Sequence, residues 1–322
     1  MWNEIIVSLT EYVRQKYERF DLSMTSNGML LDESKLEYMD KNSIGLLLSI
    51  DGDRESQDVN RPRHDGTGSF SQLEKHLDGI LHHYPNVTFR STVTPATCRN
   101  LYHNMIFAES RGFKNYFVVP NSFESWSKEE KGILAQEMDK YADHYIEKFR
   151  IGETPIIFGQ MEKSFKEIRQ RNRCIASGER RPTKLCQSCA KCGLGTSRFA
   201  GISVNGDIFA CQELCTNDGV ESPFYIGSIY QGVDDARREA LAALYDQGEP
   251  KGDDCSSCVL DRICNGGCAV NHYLMSGNMH RVPDIDCEWS RILFRTAVKI
   301  MTILGEEENE AFRLRWGGLA RG

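Results

Sequence analysis

Ten of the 12 cysteines fall between Cys186 and Cys287, and only Cys98 and Cys174 precede them. The densest group reads Cys255-x2-Cys258-x5-Cys264-x3-Cys268, with Cys287 downstream. Upstream stand Cys186, Cys189 and Cys192, then Cys211 and Cys215. Short loops between paired cysteines let two sulfurs converge on one centre, and thiolates are ligands for iron-sulfur clusters and structural zinc alike. Asn265-Gly266-Gly267 lies inside the ligand run, where missing side chains let backbone approach a bulky cluster and turn amides toward anionic sulfur. Zinc stays open as the alternative, but so many clustered cysteines with few histidines nearby favour iron-sulfur. His272, just past Cys268, reads as a core residue rather than a ligand, and the isolated Cys98 and Cys174 as ordinary buried or free thiols.

A dense cysteine block at ligand spacing points to metal; scattered cysteines in a secreted chain would point to disulfides. No apolar run approaches the roughly 20 residues that span a bilayer, and Met1-Trp2-Asn3-Glu4 opens an amphipathic segment without the basic and apolar regions of a signal peptide. The reading is a cytoplasmic protein with no membrane partner. A net charge of -7 argues against a general nucleic-acid binder, which needs basic excess to meet phosphates. Peptides, proteins or small molecules are the expected partners.

The elements that must position such a site alternate along the first half. Ile5, Ile6, Leu9, Val13 and Phe20 recur at helical spacing, and a strand-like segment over 21–25 closes in a Ser26-Asn27-Gly28 turn. Asp32 is placed to cap a short helix. The apolar run Ile44 to Ile50 predicts a strand covered on both faces. A helix marked by Phe70, Leu73, Leu77, Ile80 and Leu81 follows, then a strand over 87–94, a helix near 97–111, a strand over 113–119 and a charged helix over 127–150. Repeated βα units imply a parallel sheet or partial barrel. Lys163 to Arg181 reads as a solvated helical bridge, and Asn205-Gly206 predicts a hairpin with a type I′ turn. Ile292, Leu293, Val298 and Ile300 suggest a closing helix.

Taken together, Cys192, Gly206-x4-Cys211, Cys255-x2-Cys258-x5-Cys264-x3-Cys268 and Cys287 resemble the complete seven-cysteine SPASM pattern of radical S-adenosylmethionine (radical SAM) enzymes. The resemblance implies two auxiliary 4Fe-4S clusters. Cys255, Cys258, Cys264 and Cys287 would hold the outer one, and Cys192, Cys211 and Cys268 the inner one, with Cys186 as its fourth ligand. Cys189 competes for that place, and some relatives leave it open. The first half is similar to the same family. Thr25-Ser26-Asn27-Gly28-Met29-Leu30, Ser49-Ile50-Asp51-Gly52, Asn60-Arg61 and Gly66-Thr67-Gly68-Ser69-Phe70 follow in the order found in its peptide-modifying members. By resemblance Ser49 lies near the ribose of S-adenosylmethionine and Arg61 near its carboxylate; an arginine fork suits that role.

The implied fold is α/β: an incomplete parallel (βα) partial barrel over 1–160, a helical linker over 161–182, a SPASM domain with a β-hairpin over 183–290, and a C-terminal helix and tail over 291–322. The family's CxxxCxxC segment, which binds the catalytic cluster, is absent from the sequence, as is the glycine-rich segment after the second strand. About two βα units are therefore expected to be missing, leaving one sheet edge open and this chain unable to cleave S-adenosylmethionine alone. A full-length form would carry a third 4Fe-4S cluster, S-adenosylmethionine and an external electron donor such as flavodoxin or ferredoxin. The leading expectation is a maturase that installs a thioether or carbon-carbon cross-link in a ribosomally made peptide or protein. Formylglycine formation, as in sulfatase maturation, is the alternative, disfavoured by Gln212 where relatives carry an acidic residue. A non-catalytic iron-sulfur electron carrier or scaffold is the third reading.

Overall fold

The computed structural model describes residues 2–177, 193–196, 199–215, 218–246, 252–253, 255–260, 264 and 266–316, with backbone alone for 171–177 and 246. Residues up to 169, together with those from 292 on, form one compact unit, and 170–291 form a second. Among the described residues no helix is long and apolar enough to cross a membrane.

In the first unit β1 (Leu22–Ser26), β2 (Ile44–Ser49), β3 (Thr88–Val93), β4 (Asn115–Pro120) and β5 (Ile157–Phe158) lie side by side in chain order, every pair parallel. Parallel neighbours need crossovers. These are α2 (Glu33–Lys41), α3 (Arg54–Asn60), α4 (Phe70–His83), α5 (Leu101–Ser110) and α6 (Lys128–Arg150), while α1 (Ser8–Lys16) precedes the sheet and α7 (Gly159–Ser177) follows it. Of the expected stripe, Phe70, Leu73, Leu77 and Ile80 are buried and Leu81 is half-buried at its margin. Asp32 caps α2 by accepting from the Lys35 amide at 3.1 Å, and Ser127 with Glu130 forms a capping box on α6. Gly28, at φ +74°, turns the chain against α4: a Cβ there would stand 2.6 Å from Leu73 and 3.0 Å from Leu48.

The expectation for β2 needs correction. Ile44 and Leu48 are buried, but Leu47 is 37% exposed and Gly45 lies open, so only one face is covered. Leu48 meets Leu73 and Ile80 around Gly28, which marks the helix-covered side. An apolar run is thus compatible with one-sided burial, because apolar residues are tolerated on the surface as well. β1 is the first strand of the sheet, and Ile5, Leu9 and Tyr12 before it are about half exposed.

The second unit holds an antiparallel sheet of β6 (Gly201–Ile202), β7 (Asp207–Phe209), β8 (Tyr225–Ser228) and β9 (Gly232–Val233). It also holds α8 (Asp235–Asp246), α9 (Ala269–Ser276) and the start of α10 (Asp284–Glu306); α11 (Glu310–Trp316) ends the described chain. The β6–β7 hairpin forms at Asn205-Gly206, but not through a type I′ turn. Only Gly206 has positive φ, at +86°, with its amide bonded to the Ser203 carbonyl and the Ser203 amide to the Asp207 carbonyl. This is a three-residue loop ending in a left-handed glycine. The register explains the glycine: a Cβ at 206 would stand 2.8 Å from Ile229.

Candidate functional site

Parallel strands bring their C-terminal ends to one edge of the sheet, where α/β folds place ligands. Ser49 ends β2 there, 7% exposed. Two residues on, Asp51 is buried and takes a two-pronged bond from Arg61, Nε to Oδ2 at 2.8 Å and Nη2 to Oδ1 at 3.1 Å. The Thr92 amide at the end of β3 also donates to Asp51, at 2.8 Å. Arg61, expected near a ligand carboxylate, is thus held by a carboxylate of its own chain. Nη1 takes no part in that pair and retains donors.

The neighbouring motifs interlock. The Asp51 amide donates to Gln57 at 2.9 Å, and Gln57 donates to Ser69 at 3.1 Å. Asn60 bonds the Thr92 carbonyl at 3.0 Å and accepts from Thr94 at 2.9 Å. Asp58 accepts from the Phe70 amide at 2.7 Å and rests against Gly68 where any Cβ would collide with it. The S-x-D-G, N-R and G-x-G-S-F segments are one hydrogen-bonded assembly.

In the second unit the described cysteines are Cys211, Cys215, Cys255, Cys258, Cys264, Cys268 and Cys287, all free thiols. Cys186, Cys189 and Cys192 lie outside the described residues, as does the side chain of Cys174. Cys98, in the first unit, is buried, and burial raises its thiol pKa. Cys211 follows β7 and stands just before the 3-10 turn Gln212–Leu214, Cys215 follows that turn, and Cys268 stands just before α9. All three border one apolar cluster with Phe209, Leu214 and Phe224.

Cys255, Cys258, Cys264 and Cys287 share another neighbourhood. Backbone amides address three of the sulfurs: Gly252 to Cys255 at 3.1 Å, Leu260 to Cys258 at 3.4 Å and Gly266 to Cys264 at 3.3 Å. Gly252 leaves room for two of them, since a Cβ there would stand 2.6 Å from the Cys287 sulfur and 4.0 Å from that of Cys255. Burial, then the Cys264 sulfur, pushes the Cys287 thiol up to about 11. Burial also raises Cys264, helped by Cys255 and Cys258, although the residue as a whole is exposed. Arg291, one turn after Cys287, pairs with Glu288 at 3.3 Å. Burial makes the Cys264 and Cys287 thiols resist ionising unless a cationic centre joins them, and amides aimed at sulfur suit anionic ligands. In donor chemistry the set fits an iron-sulfur cluster. Among the described residues no group of three or more His, Cys, Asp or Glu is placed to hold a metal ion.

His272 is fully buried, with Nδ1 at 3.0 Å from the Met279 carbonyl. That contact makes Nδ1 the donor and leaves Nε2, beside Gly267, without a hydrogen-bond partner among the described residues. Sequence reasoning gave no role to Asp51 or Gln57, neither of which carried a local signal.

No family model and no curated protein sequence matches this chain. Solved structures do. anSMEcpe, an anaerobic sulfatase-maturating enzyme, with bound AdoMet aligns with a TM-score of 0.69 at 17% identity, over 94% of this chain and 81% of that one. Its form with AdoMet and the Cp18Cys peptide gives 0.66 at 17%, over 94% and 82%. Streptococcus suis SuiB bound to S-adenosylmethionine gives 0.52 at 15%, over 88% of this chain and 62% of that one. The architecture, a parallel α/β sheet followed by a small separate antiparallel sheet, is the radical SAM/SPASM fold.

Proposed function

We propose that this chain is the core and auxiliary-cluster portion of a radical SAM/SPASM maturase acting on a peptide or protein. The observation that carries the reading is the four-cysteine neighbourhood of Cys255, Cys258, Cys264 and Cys287, with amides directed at its sulfurs, in a chain of this fold. In the proposal these four hold the outer 4Fe-4S cluster. Cys211 and Cys268, with Cys192 and Cys186, hold the inner one; Cys189 remains the competitor of Cys186. Bound clusters supply one-electron chemistry that side chains lack. The protein's part is to orient: Asp51 fixes Arg61 at the strand ends, where Nη1 and the Ser49 hydroxyl offer polar contacts to S-adenosylmethionine.

Peptide structures of the neighbours support the substrate class, since anSMEcpe was solved with the Cp18Cys and Kp18Cys peptides and SuiB with its precursor SuiA. A thioether or carbon-carbon cross-link is the proposed product, with flavodoxin or ferredoxin as electron donor. Formylglycine formation is the second reading, favoured by the higher TM-score to anSMEcpe, 0.69 against 0.52 for SuiB, and opposed by Gln212 after Cys211. Anaerobic reconstitution tests the core claim: about eight iron atoms per chain follow from two four-cysteine sites, and stoichiometric zinc without iron overturns it. With S-adenosylmethionine and a strong reductant this chain alone should release no 5′-deoxyadenosine, because the sequence has no CxxxCxxC. Catalytic amounts of that product would refute this part of the proposal.

A further inference from the structure

We infer that Arg90, in the middle of β3, takes a carboxylate of the substrate peptide on the uncovered face of the parallel sheet. The inference deepens the proposed function and rests on its peptide substrate. Arg90 is the only charged residue in the five strands of this sheet. Register fixes its side. Leu48 pairs with Phe89 and Phe89 with Tyr116, all three buried on the helix-covered face. The next residues along, Ser49, Arg90 and Phe117, pair in the same way and form a row on the opposite face. The guanidinium lies over the Phe117 ring, 6.0 Å from its centre, and has no carboxylate partner among the described residues.

The surroundings select the ligand. On the same face Thr92 and Val119 lie one step toward the strand ends, and Leu47 one step the other way. All are neutral, so the row carries one positive charge and no negative one from its own strands. A guanidinium stacked on an aromatic ring is oriented in advance, and its planar fork of donors matches a carboxylate in two bonds. S-adenosylmethionine brings one carboxylate, for which the proposed function has Arg61 Nη1. Arg61 uses its other edge on Asp51, whereas Arg90 is uncommitted. The second guanidinium is therefore left for the other reactant, and in a peptide the side chain of aspartate or glutamate supplies the charge. The Ser49 hydroxyl, next to Arg90 in the row, adds a donor. No bond is made or broken in this step: Arg90 selects the peptide and fixes its place, which makes it a specificity residue.

The test uses the full chain, anaerobically reconstituted and carrying isotopically labelled arginine, followed by nuclear magnetic resonance. The Arg90 Nε–H signal is identified by its absence in Arg90→Gln or, should that variant fail to fold, in Arg90→Lys. The probes are the N-acetyl, N-methylamide derivatives of glutamate and glutamine, and S-adenosylmethionine. The glutamate derivative should move the Arg90 signal saturably, with half-saturation at about 1–10 mM, and the glutamine derivative should act about tenfold more weakly. S-adenosylmethionine should leave that signal in place and not displace the glutamate derivative. Equal responses to the two derivatives, or no response to either, overturn the inference, and the maturase reading stands if iron and S-adenosylmethionine still bind. A saturable shift with S-adenosylmethionine that removes the glutamate response assigns Arg90 to that carboxylate and overturns the peptide source. Failure of the chain to take up iron, with the glutamate response intact, overturns the maturase reading and not the site.

Discussion

Replacing Arg61 with methionine would strand a carboxylate. The Asp51 side chain is 2% exposed and the Arg61 side chain 30%, so the two ends of this ion pair differ in their access to water. Removing one partner of a fully buried pair costs about 3–5 kcal/mol. Here Asp51 would keep the Thr92 amide, which lowers the expected loss for Arg61→Met to about 2–4 kcal/mol. Asp51→Asn leaves a guanidinium that can turn to solvent and an amide of the same shape, so its loss should be about 1–2 kcal/mol. The double variant should lose no more than Arg61→Met alone, a coupling of about 1 kcal/mol or more. Urea titrations followed by far-ultraviolet circular dichroism, compared at equal slope, provide the values. An Asp51→Asn loss as large as that of Arg61→Met, or losses that simply add, would refute the reasoning from unequal burial.

Three further outcomes are expected. Hydrogen bonds from Lys35 and Ser34 hold the Asp32 carboxyl down at about 2, below the roughly 3.9 of an unfolded aspartate. Its support of α2 is therefore complete above about pH 4 and disappears as pH falls through 2, so the midpoint gap between wild type and Asp32→Ala should narrow between pH 6 and pH 2. Gly68→Ala should cost about 1–3 kcal/mol by pressing a methyl into Asp58, and Asp58→Ala in the same chain should recover part of the packing loss in urea titrations. The Cys258→Ala, Cys264→Ala double variant should lose about half the iron and one paramagnetic signal, and Cys211→Ala the complementary signal. Loss of the same signal in both would refute the division into two sites.

Local chemistry was legible wherever it was also local in sequence. Asp32 caps α2 because the cap and the amide it accepts lie within one turn, and the α4 stripe is buried because its spacing follows the helical repeat. Asn205-Gly206 announced a hairpin, but the turn type depended on which residue took positive φ, and Ile229, just past the neighbouring strand β8, crowds that position. β2 was misjudged because periodicity cannot separate a strand covered on two faces from one covered on a single face. The Asp51–Arg61 pair closes across the helix α3, and the bonds from Thr92 and Thr94 come from the end of β3 and the residue just past it, so nothing in the spacing showed these pairings. The common neighbourhood of Cys255, Cys258 and Cys264 was legible in their short spacing, whereas Cys287 joins it from α10.

These contacts change what the first-half motifs can be used to argue. Survival of Ser49 and Arg61 in a chain without CxxxCxxC weighs against a pure electron carrier only if those residues are there for S-adenosylmethionine. Arg61, Asn60, Gln57 and Gly68 are each engaged with Asp51, Thr92, Thr94 or Asp58, and Ser69 with Gln57, so the segment between β2 and α4 uses them to hold its own structure. A scaffold would keep them as readily as an enzyme. Ser49 differs from them: it is buried at the end of β2 and is not one of the residues tying these loops together. Ser49→Ala should therefore leave stability within about 0.5–1 kcal/mol of wild type, and it should weaken S-adenosylmethionine binding, read by calorimetry on the reconstituted chain, if the maturase reading holds. Unchanged binding, or no binding by the unsubstituted chain, would shift the weight to the electron-carrier reading.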